Sequence, residues 1–183
     1  MKLHVRGSGN QVHLGSNLST SGLMLVVDGD RNRVEVGDHC GGGGCLALRG
    51  EGNRLLIGDR TYFIGVHLLL VSGGCRLVIG NGCVFSEGVD IRTTDSHFIY
   101  EQASDRCVNP DADVVLGDRV WLGKNVTVLK GSRIGSDTVV ATGAIVAGEL
   151  PANVIAAGVP ARVIREGVYW EPWPRPLTEN DQR

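Results

Sequence analysis

The chain has 183 residues, of which 42% are apolar, only 5% are aromatic and 27 are glycine. This length fits one domain, and small apolar residues with many glycines favour a slim, turn-rich coil over a globule packed around aromatic rings. The formal net charge of −2 excludes a strong overall positive field of the kind that attracts nucleic acid or an anionic membrane.

The N-terminal half contains four copies of one segment, at residues 9–15, 31–37, 52–58 and 74–80. A six-residue unit forms a short strand and a turn, and three units close one triangular coil of about 18 residues. Because the copies are 21 or 22 residues apart, each predicts one coil with a few residues bulging at a corner. The glycine-rich segment 40–45 falls at such a corner. We expect it to be a flexible turn, since no Lys-Ser/Thr follows to make a phosphate loop.

The cysteines form no CxxC pair and no Cys/His zinc pattern; they are Cys40, Cys45, Cys75, Cys83 and Cys107. We expect reduced, small apolar side chains in a cytoplasmic protein without a bound metal. The longest apolar run, 66–71, is interrupted by His67 and is too short for a membrane span, and no secretory signal is expected.

The apolar period fails once inside the chain. It runs through Ile79, Phe85, Ile91 and His97, but the next apolar anchor, Leu116, follows 19 residues later. The intervening residues, about 94–112, are polar and predict a loop that leaves the coil. Long loops on rigid scaffolds often carry functional residues.

From residue 116 onward every sixth residue is apolar: Leu116, Leu122, Val128, Ile134, Val140, Val146 and Ala152. This period is neither that of a helix nor a long strand alternation. It predicts an all-β chain, a parallel β-helix over residues 1–165 with each anchor pointing inward. Residues 166–183, with Trp170, Trp173 and three prolines, are predicted to be a C-terminal tail that packs on the coil end or on a neighbouring subunit.

The stretch from Phe85 to Trp170 resembles the hexapeptide-repeat acetyltransferases, in particular the branch that O-acetylates capsular and other surface polysaccharides. The matching segments are I-R-T-T-D-S-H (91–97), V-N-P (108–110), V-V-L-G-D-R-V-W-L-G (114–123), V-T-V-L-K-G (126–131), I-G-S-D (134–137) and V-P-A-R-V-I-R (159–165). The resemblance implies a left-handed β-helix, acetyl-CoA as donor, a saccharide acceptor and a homotrimer with sites between subunits.

The resemblance also implies that His97 is the catalytic base and that Trp121, 24 residues later, lines the active site. A neutral imidazole can take the proton of a sugar hydroxyl, which is otherwise a poor nucleophile at neutral pH. A buried structural histidine is the alternative, because His97 continues the inward phase. The outward-facing Trp121 is equally suited to a subunit contact.

Two arginines near the end of the coil, Arg162 and Arg165, suit the phosphates of CoA, because guanidinium groups bind phosphate with two parallel hydrogen bonds. The resemblance adds Lys124, Thr142 and Gly143 along the coil edge. Solvated surface residues are the alternative, and Thr142-Gly143-Ala144 departs from the Ala-Gly-Ser of many relatives.

Tyr100 and Arg106 of the loop are candidates for acceptor contacts, with loop packing as the alternative. Asp95 either orients the imidazole or caps the loop turn. Other functions stay open on this fold: an amino-sugar N-acetyltransferase, a zinc carbonic anhydrase and a non-catalytic scaffold. The zinc enzyme requires three convergent histidines, whereas only His67 and His97 fall in the middle coils.

Overall fold

The computed structural model describes residues 1–71 and 73–173, and the regular structure in this part of the chain consists of β-strands. The strands form two sheets and one hairpin. The larger sheet contains β1 (Lys2–Arg6), β3 (Leu23–Asp28), β5 (Gly41–Arg49), β7 (Tyr62–Leu70), β9 (Val84–Arg92), β13 (Trp121–Leu122), β14 (Thr127–Val128), β16 (Val139–Val140), β17 (Ile145–Val146), β19 (Val154–Ala157) and β20 (Arg162–Glu166). The smaller contains β2 (Gln11–Leu14), β4 (Arg33–Val36), β6 (Arg54–Ile57), β8 (Arg76–Ile79), β12 (Val114–Leu116), β15 (Arg133–Ile134) and β18 (Glu149–Leu150).

These sheets form the three faces of a prism. The smaller sheet is face 1. The larger sheet makes two faces, because β9 pairs with β13 through Val84 and Phe85 and with β14 through Asp90 and Ile91. We call the β13 side face 2 and the β14 side face 3. The first corner joins faces 1 and 2, the second joins faces 2 and 3, and the third joins faces 3 and 1.

One column of buried side chains lines the inside of each face. Strand register places Ile57, Ile79, Leu116, Ile134 and Leu150 on face 1, Phe63, Phe85, Leu122, Val140 and Ala156 on face 2, and Leu46, Leu68, Ile91, Val128 and Val146 on face 3. Each column removes its apolar surface from water against the coil above and below. The predicted left-handed parallel β-helix is confirmed, and so is the inward anchor period from Leu116 to Val146.

The last predicted anchor, Ala152, is wrong: it is exposed, and Leu150 is buried in its place. Leu116 pairs with Ile134, eighteen positions on, whereas Ile134 pairs with Leu150, sixteen positions on. The final coil is shorter because the turn at Gly148, which has a φ of +127°, closes with two fewer residues.

The N-terminal repeat is confirmed as a coil repeat, since Gln11, Arg33, Arg54 and Arg76 lie in register on face 1. The prediction that segment 40–45 is a flexible turn is wrong. Residues 41–45 belong to β5, which pairs on both sides with a bulge at 42–44. A Cβ at Gly42 would lie 1.7 Å from the carbonyl oxygen of Phe63, so glycine permits the close approach of the two strands.

Polar side chains connect successive coils at two corners. At the third corner the Oδ1 atoms of Asn10, Asn32 and Asn53 each accept the backbone N–H of the residue one coil on. Asn32 and Asn53 are buried. At the first corner the direction is reversed, and a side-chain oxygen accepts the backbone N–H of the residue one coil earlier. The accepting residues are Asp38, Asp59, Asn81, Asp118 and Ser136. These side chains satisfy backbone groups that the turns leave without strand partners.

The predicted loop is confirmed by strand register. Val114 pairs with Leu77, thirty-seven positions earlier, which is nineteen more than in the eighteen-residue coils. The extra residues leave the prism at the third corner and form a hairpin of β10 (Tyr100–Glu101) and β11 (Arg106–Cys107).

The C-terminal end departs from the parallel pattern. β20 runs antiparallel to β19, and Val168 exchanges two hydrogen bonds with Asn153. The tail then descends the first corner, where Trp170 packs against Trp121. This part of the tail therefore lies on the side of its own prism rather than on the coil end; residues 174–183 of the predicted tail lie outside the described residues. No helix in the described ranges is long and apolar enough to cross a membrane.

Candidate active site

His97 lies at the start of the loop, directly after the buried Thr93 and Thr94. Its side chain is exposed, so it does not continue the inward column and is not a buried structural histidine. Ser96 turns the chain outward with a φ of +66°, and its N–H donates to Thr94 Oγ1 at 2.9 Å. Positive φ values recur at non-glycine residues in the turns of this prism, so this conformation redirects the chain and does not by itself mark a site.

A polar network braces the base of the loop beneath His97. Asn109 Nδ2 donates to the carbonyl oxygen of His97 at 2.9 Å and to Asp95 Oδ2 at 3.0 Å. Lys130, from the next coil, is half-buried and bonds to Asp95 Oδ2 at 2.6 Å and to the carbonyl oxygen of Asn109. The hydrogen bonds from Lys130 and Asn109 lower the pKa of Asp95 below its ordinary value.

Asp95 neither orients the imidazole nor caps the loop turn in this structure. Its carboxylate instead contacts the ammonium group of Lys130. Within residues 1–71 and 73–173, no hydrogen bond reaches the imidazole of His97. Asn109 and Lys130 were not predicted as site residues from the sequence. Their presence in the V-N-P and V-T-V-L-K-G segments of the family pattern could have indicated them.

The hairpin presents an exposed, mostly apolar surface that includes Phe98, Ile99, Tyr100 and Val108. Tyr100 is opposite Cys107, and Arg106 is opposite Glu101 with their charged groups 3.8 Å apart. Neither Tyr100 nor Arg106 is packed into the prism, so both are accessible to a partner or ligand from this arm.

Trp121 lies on the outside of face 2 and is 40% exposed. Its ring packs against Trp170, with centroids 5.8 Å apart at 51°. Trp170 is held by two reciprocal bonds to Arg119: its indole N–H donates to the Arg119 carbonyl oxygen, and the guanidinium donates to the Trp170 carbonyl oxygen. Asp137 binds the same guanidinium. Sequence analysis did not predict this partner, which depends on the path of the tail.

Three candidate CoA residues lie together at the second corner. The N–H of Gly143 donates to the carbonyl oxygen of Lys124 at 2.9 Å, and Thr142 and Gly143 are exposed. Lys124 is paired with Glu87 at 2.9 Å, and this hydrogen bond lowers the pKa of Glu87. A Cβ at Gly143 would meet nothing within 4 Å, so the corner is open to a ligand.

The two candidate arginines lie on β20, at the C-terminal end of the prism. Arg162 is opposite Ala157 and Arg165 opposite Ile155 in the antiparallel pair, and both are exposed. The carbonyl oxygens of Gly158 and Ile145 join this end of the chain to the coil below. Lys124, Thr142, Gly143 and Arg162 therefore follow one edge of the prism. Arg165, opposite Ile155, lies on face 2 in the column of Trp121.

The two residues predicted to share the active site, His97 and Trp121, are not brought together within one chain. His97 leaves the prism at the third corner, whereas Trp121 lies on face 2, which is opposite that corner in a triangular section. A site that contains both side chains therefore requires two copies of the chain.

A second histidine has a carboxylate partner. On face 3, His67 Nδ1 lies 2.9 Å from Asp90 Oδ2, and the Arg92 guanidinium donates to both carboxylate oxygens. Burial raises the pKa of Asp90, but the hydrogen bonds from Arg92 and His67 outweigh it and the pKa is lowered. The pairing of residues 67 and 90 depends on coil register, which is why no local motif indicated it.

Among the described residues no group of three or more His, Cys, Asp or Glu side chains is arranged to hold a metal. All five cysteines are free. Burial raises the pKa of the Cys83 thiol to about 11 and also raises those of Cys40 and Cys75, so these three thiols are poor nucleophiles.

Comparison with known proteins agrees with the repeat pattern. The family described as bacterial transferase hexapeptide (six repeats) matches residues 113–148. The polysialic acid O-acetyltransferase of Neisseria meningitidis is 32% identical over 148 residues, which cover 69% of this chain and 68% of that protein. The chain belongs to the hexapeptide-repeat acetyltransferase family.

Two further relatives show how far the likeness extends. The polysialic acid O-acetyltransferase of Escherichia coli O1:K1 / APEC is 31% identical over 66% of this chain, but the match spans only 39% of that protein. The crystal structure of the polySia specific acetyltransferase NeuO superposes with a TM-score of 0.78 at 24% identity, covering 98% of this chain and 93% of the other. The latter likeness confirms the fold of the described residues.

Proposed function

We propose that this hexapeptide-repeat protein moves an acetyl group from acetyl-CoA to a hydroxyl of a surface polysaccharide. Family membership and the names of its relatives, which act on polysialic acid, support the reaction and the acceptor class. The observation that carries the proposal is the exposed His97 on a braced loop at the one internal interruption of the coil. The donor favours the cytoplasm as the place of reaction.

In the proposed mechanism, His97 takes the proton of the acceptor hydroxyl as its oxygen attacks the thioester carbonyl carbon of acetyl-CoA. The new C–O bond forms, the C–S bond breaks, and the CoA thiolate recovers the proton from the imidazolium. The raised pKa values of the buried cysteines support direct transfer over an acyl-cysteine intermediate. No metal has a role in this scheme.

The separation of His97 and Trp121 on one prism supports sites between subunits of a homotrimer. In each site His97 of one copy faces Trp121 of the next. Acetyl-CoA follows the second corner, where Lys124, Thr142 and Gly143 line the open edge and Arg162 and Arg165 bind its phosphates. Tyr100 and Arg106 of the hairpin contact the acceptor.

The test is a pair of histidine variants. His97→Ala should lower acetyl transfer to polysialic acid, measured as free CoA thiol, by at least about 10²-fold without a change in melting temperature or CoA affinity. His67→Ala is the matched control, because it removes the histidine that has a carboxylate partner, and should keep activity within about threefold.

Near-normal turnover of the His97 variant would contradict the proposal, and so would an equal loss in the His67 variant. Comparing an amino sugar with its N-acetylated form in the same thiol assay separates O-transfer from N-transfer, because N-acetylation blocks only the nitrogen nucleophile.

A further inference from the structure

A groove lies between the C-terminal tail and the first corner, next to Trp121. It encloses a cavity of about 940 Å³. Its floor is small, formed by Gly82 and Val84, while Tyr62 lies on one side and Trp170 and Trp173 on the other. This volume is at the upper end of the range usual for small-molecule sites.

The coil register explains why the floor of the groove lies lower than its walls. Tyr62, Val84 and Trp121 occupy one outward column on successive strands of face 2. Strands are about 4.8 Å apart, so the two aromatic positions are separated by about 10 Å, with only a valine between them. This separation leaves room for a flat ring between two aromatic side chains.

The far wall is rigidly attached. Trp170 is fixed by its two bonds to Arg119 and by its contact with Trp121, and Val168 is tied to Asn153. Trp173 follows at the groove and is 80% exposed, an unusual state for so large an apolar side chain. An exposed indole held beside a cavity is suited to stack on a ligand.

The polar groups around the cavity belong to Arg60, Asn81, Asp118 and Arg119. Within the described ranges the guanidinium of Arg60 forms no ion pair, whereas Arg119 is paired with Asp137. Asp118 accepts two hydrogen bonds from Asn81 through one oxygen, so its other oxygen is available. The guanidinium groups donate hydrogen bonds and the carboxylate accepts them. This combination suits a hydroxyl group, which can donate and accept at the same time.

We propose that this groove is a second saccharide subsite, which holds a stretch of the acceptor chain outside the reacting centre. The inference rests on the proposed function in that it takes the acceptor to be a saccharide chain. Sugar rings present flat C–H faces to aromatic rings and hydroxyls at their edges, and the groove offers both kinds of partner. Because it adjoins Trp121, one chain can occupy the groove and the reacting site together.

The proposal predicts length-dependent binding that needs no turnover. Two hexasaccharides serve as probes, α2,8-linked hexasialic acid and neutral maltohexaose, and are titrated by calorimetry into the protein without acetyl-CoA. At least one should bind, and its affinity should fall about tenfold in Trp173→Ala, whereas Trp173→Tyr, which keeps an aromatic ring, should keep most of it. The disaccharide of the same series should bind more weakly than the hexamer.

Two further variants test the opposite wall. Tyr62→Ala should weaken the same probe, whereas Ile64→Ala, an equally exposed apolar residue on the same strand but outside the groove, should not. Arg60→Asn should also weaken binding, because it removes the charge. Asparagine tolerates the positive φ of this position. The control is Arg54→Asn, which removes a charge on face 1.

Binding that is equal in all variants, or the absence of binding by both hexasaccharides, would overturn the subsite. These outcomes are separate from a failure of the proposed function. A protein that binds the probe through Trp173 but releases no CoA thiol with any acceptor would retain the subsite and lose the transferase proposal.

Discussion

The two halves of the prism build the same inward columns with different corners. In the N-terminal half the coils advance by 21 or 22 residues, the strands on the larger sheet reach nine residues, and buried asparagines join the coils at the third corner. In the C-terminal half the coils advance by 16 or 18 residues and most strands have only two. The core therefore tolerates different corners as long as the apolar columns remain in register.

The loop that carries His97 lies at the boundary between these halves. Ile79 and Ile91 pair across the loop with Leu116 and Val128, so the columns continue without a gap on both sides of the insertion. A rigid prism above and below an insertion can hold an exposed side chain in place. The regular half has the open edge at which we propose that the donor binds, and the irregular half supplies the groove floor and Tyr62.

The largest expected effect separates the halves by glycine substitution. Gly42→Ala places a Cβ 1.7 Å from a neighbouring carbonyl oxygen at a φ of +116°, so we expect loss of at least about 3 kcal/mol of stability or failure to fold. Gly143→Ala has open space and only the strain of its positive φ, about 1 kcal/mol. Urea unfolding measures both, and similar values would contradict the close approach of β5 and β7 at Gly42.

The next effect concerns the polar side chains that join successive coils at the corners. Asn53→Leu leaves the N–H of Cys75 and the carbonyl oxygen of Arg49 without their partner in a buried corner, at a cost of about 3 kcal/mol. Ser132→Ala in the regular half loses only two longer hydrogen bonds, at a cost of about 1 kcal/mol. Equal unfolding free energies for the two variants would show that the row of corner asparagines (Asn10, Asn32 and Asn53) does not stabilise the longer coils.

The smallest of these effects concerns the brace between the halves. Lys130→Met removes the partner of Asp95 and should lower kcat by about tenfold, because His97 is then held less firmly, with little change in the KM for acetyl-CoA. Arg133→Met, which removes a surface pair with Glu149, is the control. A lower kcat in both variants, or in neither, would count against the brace.

The same brace has a pH dependence. Because the pKa of Asp95 is lowered in the folded protein, its contribution is complete above the ordinary value of 3.8 and is lost as the pH falls through the lowered pKa. The protection factors of residues 97–109 against hydrogen exchange, corrected for the intrinsic rate at each pH, should therefore fall at acid pH in the native protein and be low at all pH values in Asp95→Asn. Protection that is independent of pH would contradict this role.

The sequence was sufficient for the columns, the loop and the family, because these depend on local spacing and on quoted segments. It was insufficient for features that depend on the register of the coils, which determines which residue is buried and which distant residues meet. Ala152 and Leu150 are both apolar, and only the turn at Gly148 determines which is buried. The pair Asp95–Lys130 joins residues that are 35 positions apart, and Trp170 reaches Trp121 only through the path of the tail.

The central claim is that each active site takes His97 from one copy and Trp121 from another, and subunit mixing tests it most directly. His97→Ala and Trp121→Ala, each inactive alone, are mixed in equal amounts, unfolded and reassembled, and assayed for CoA thiol release. Random assembly of a trimer with sites between subunits should restore about one quarter of the native activity, since that share of interfaces carries both native residues. Activity no higher than that of either variant alone would place both residues of each site in one chain and contradict the account.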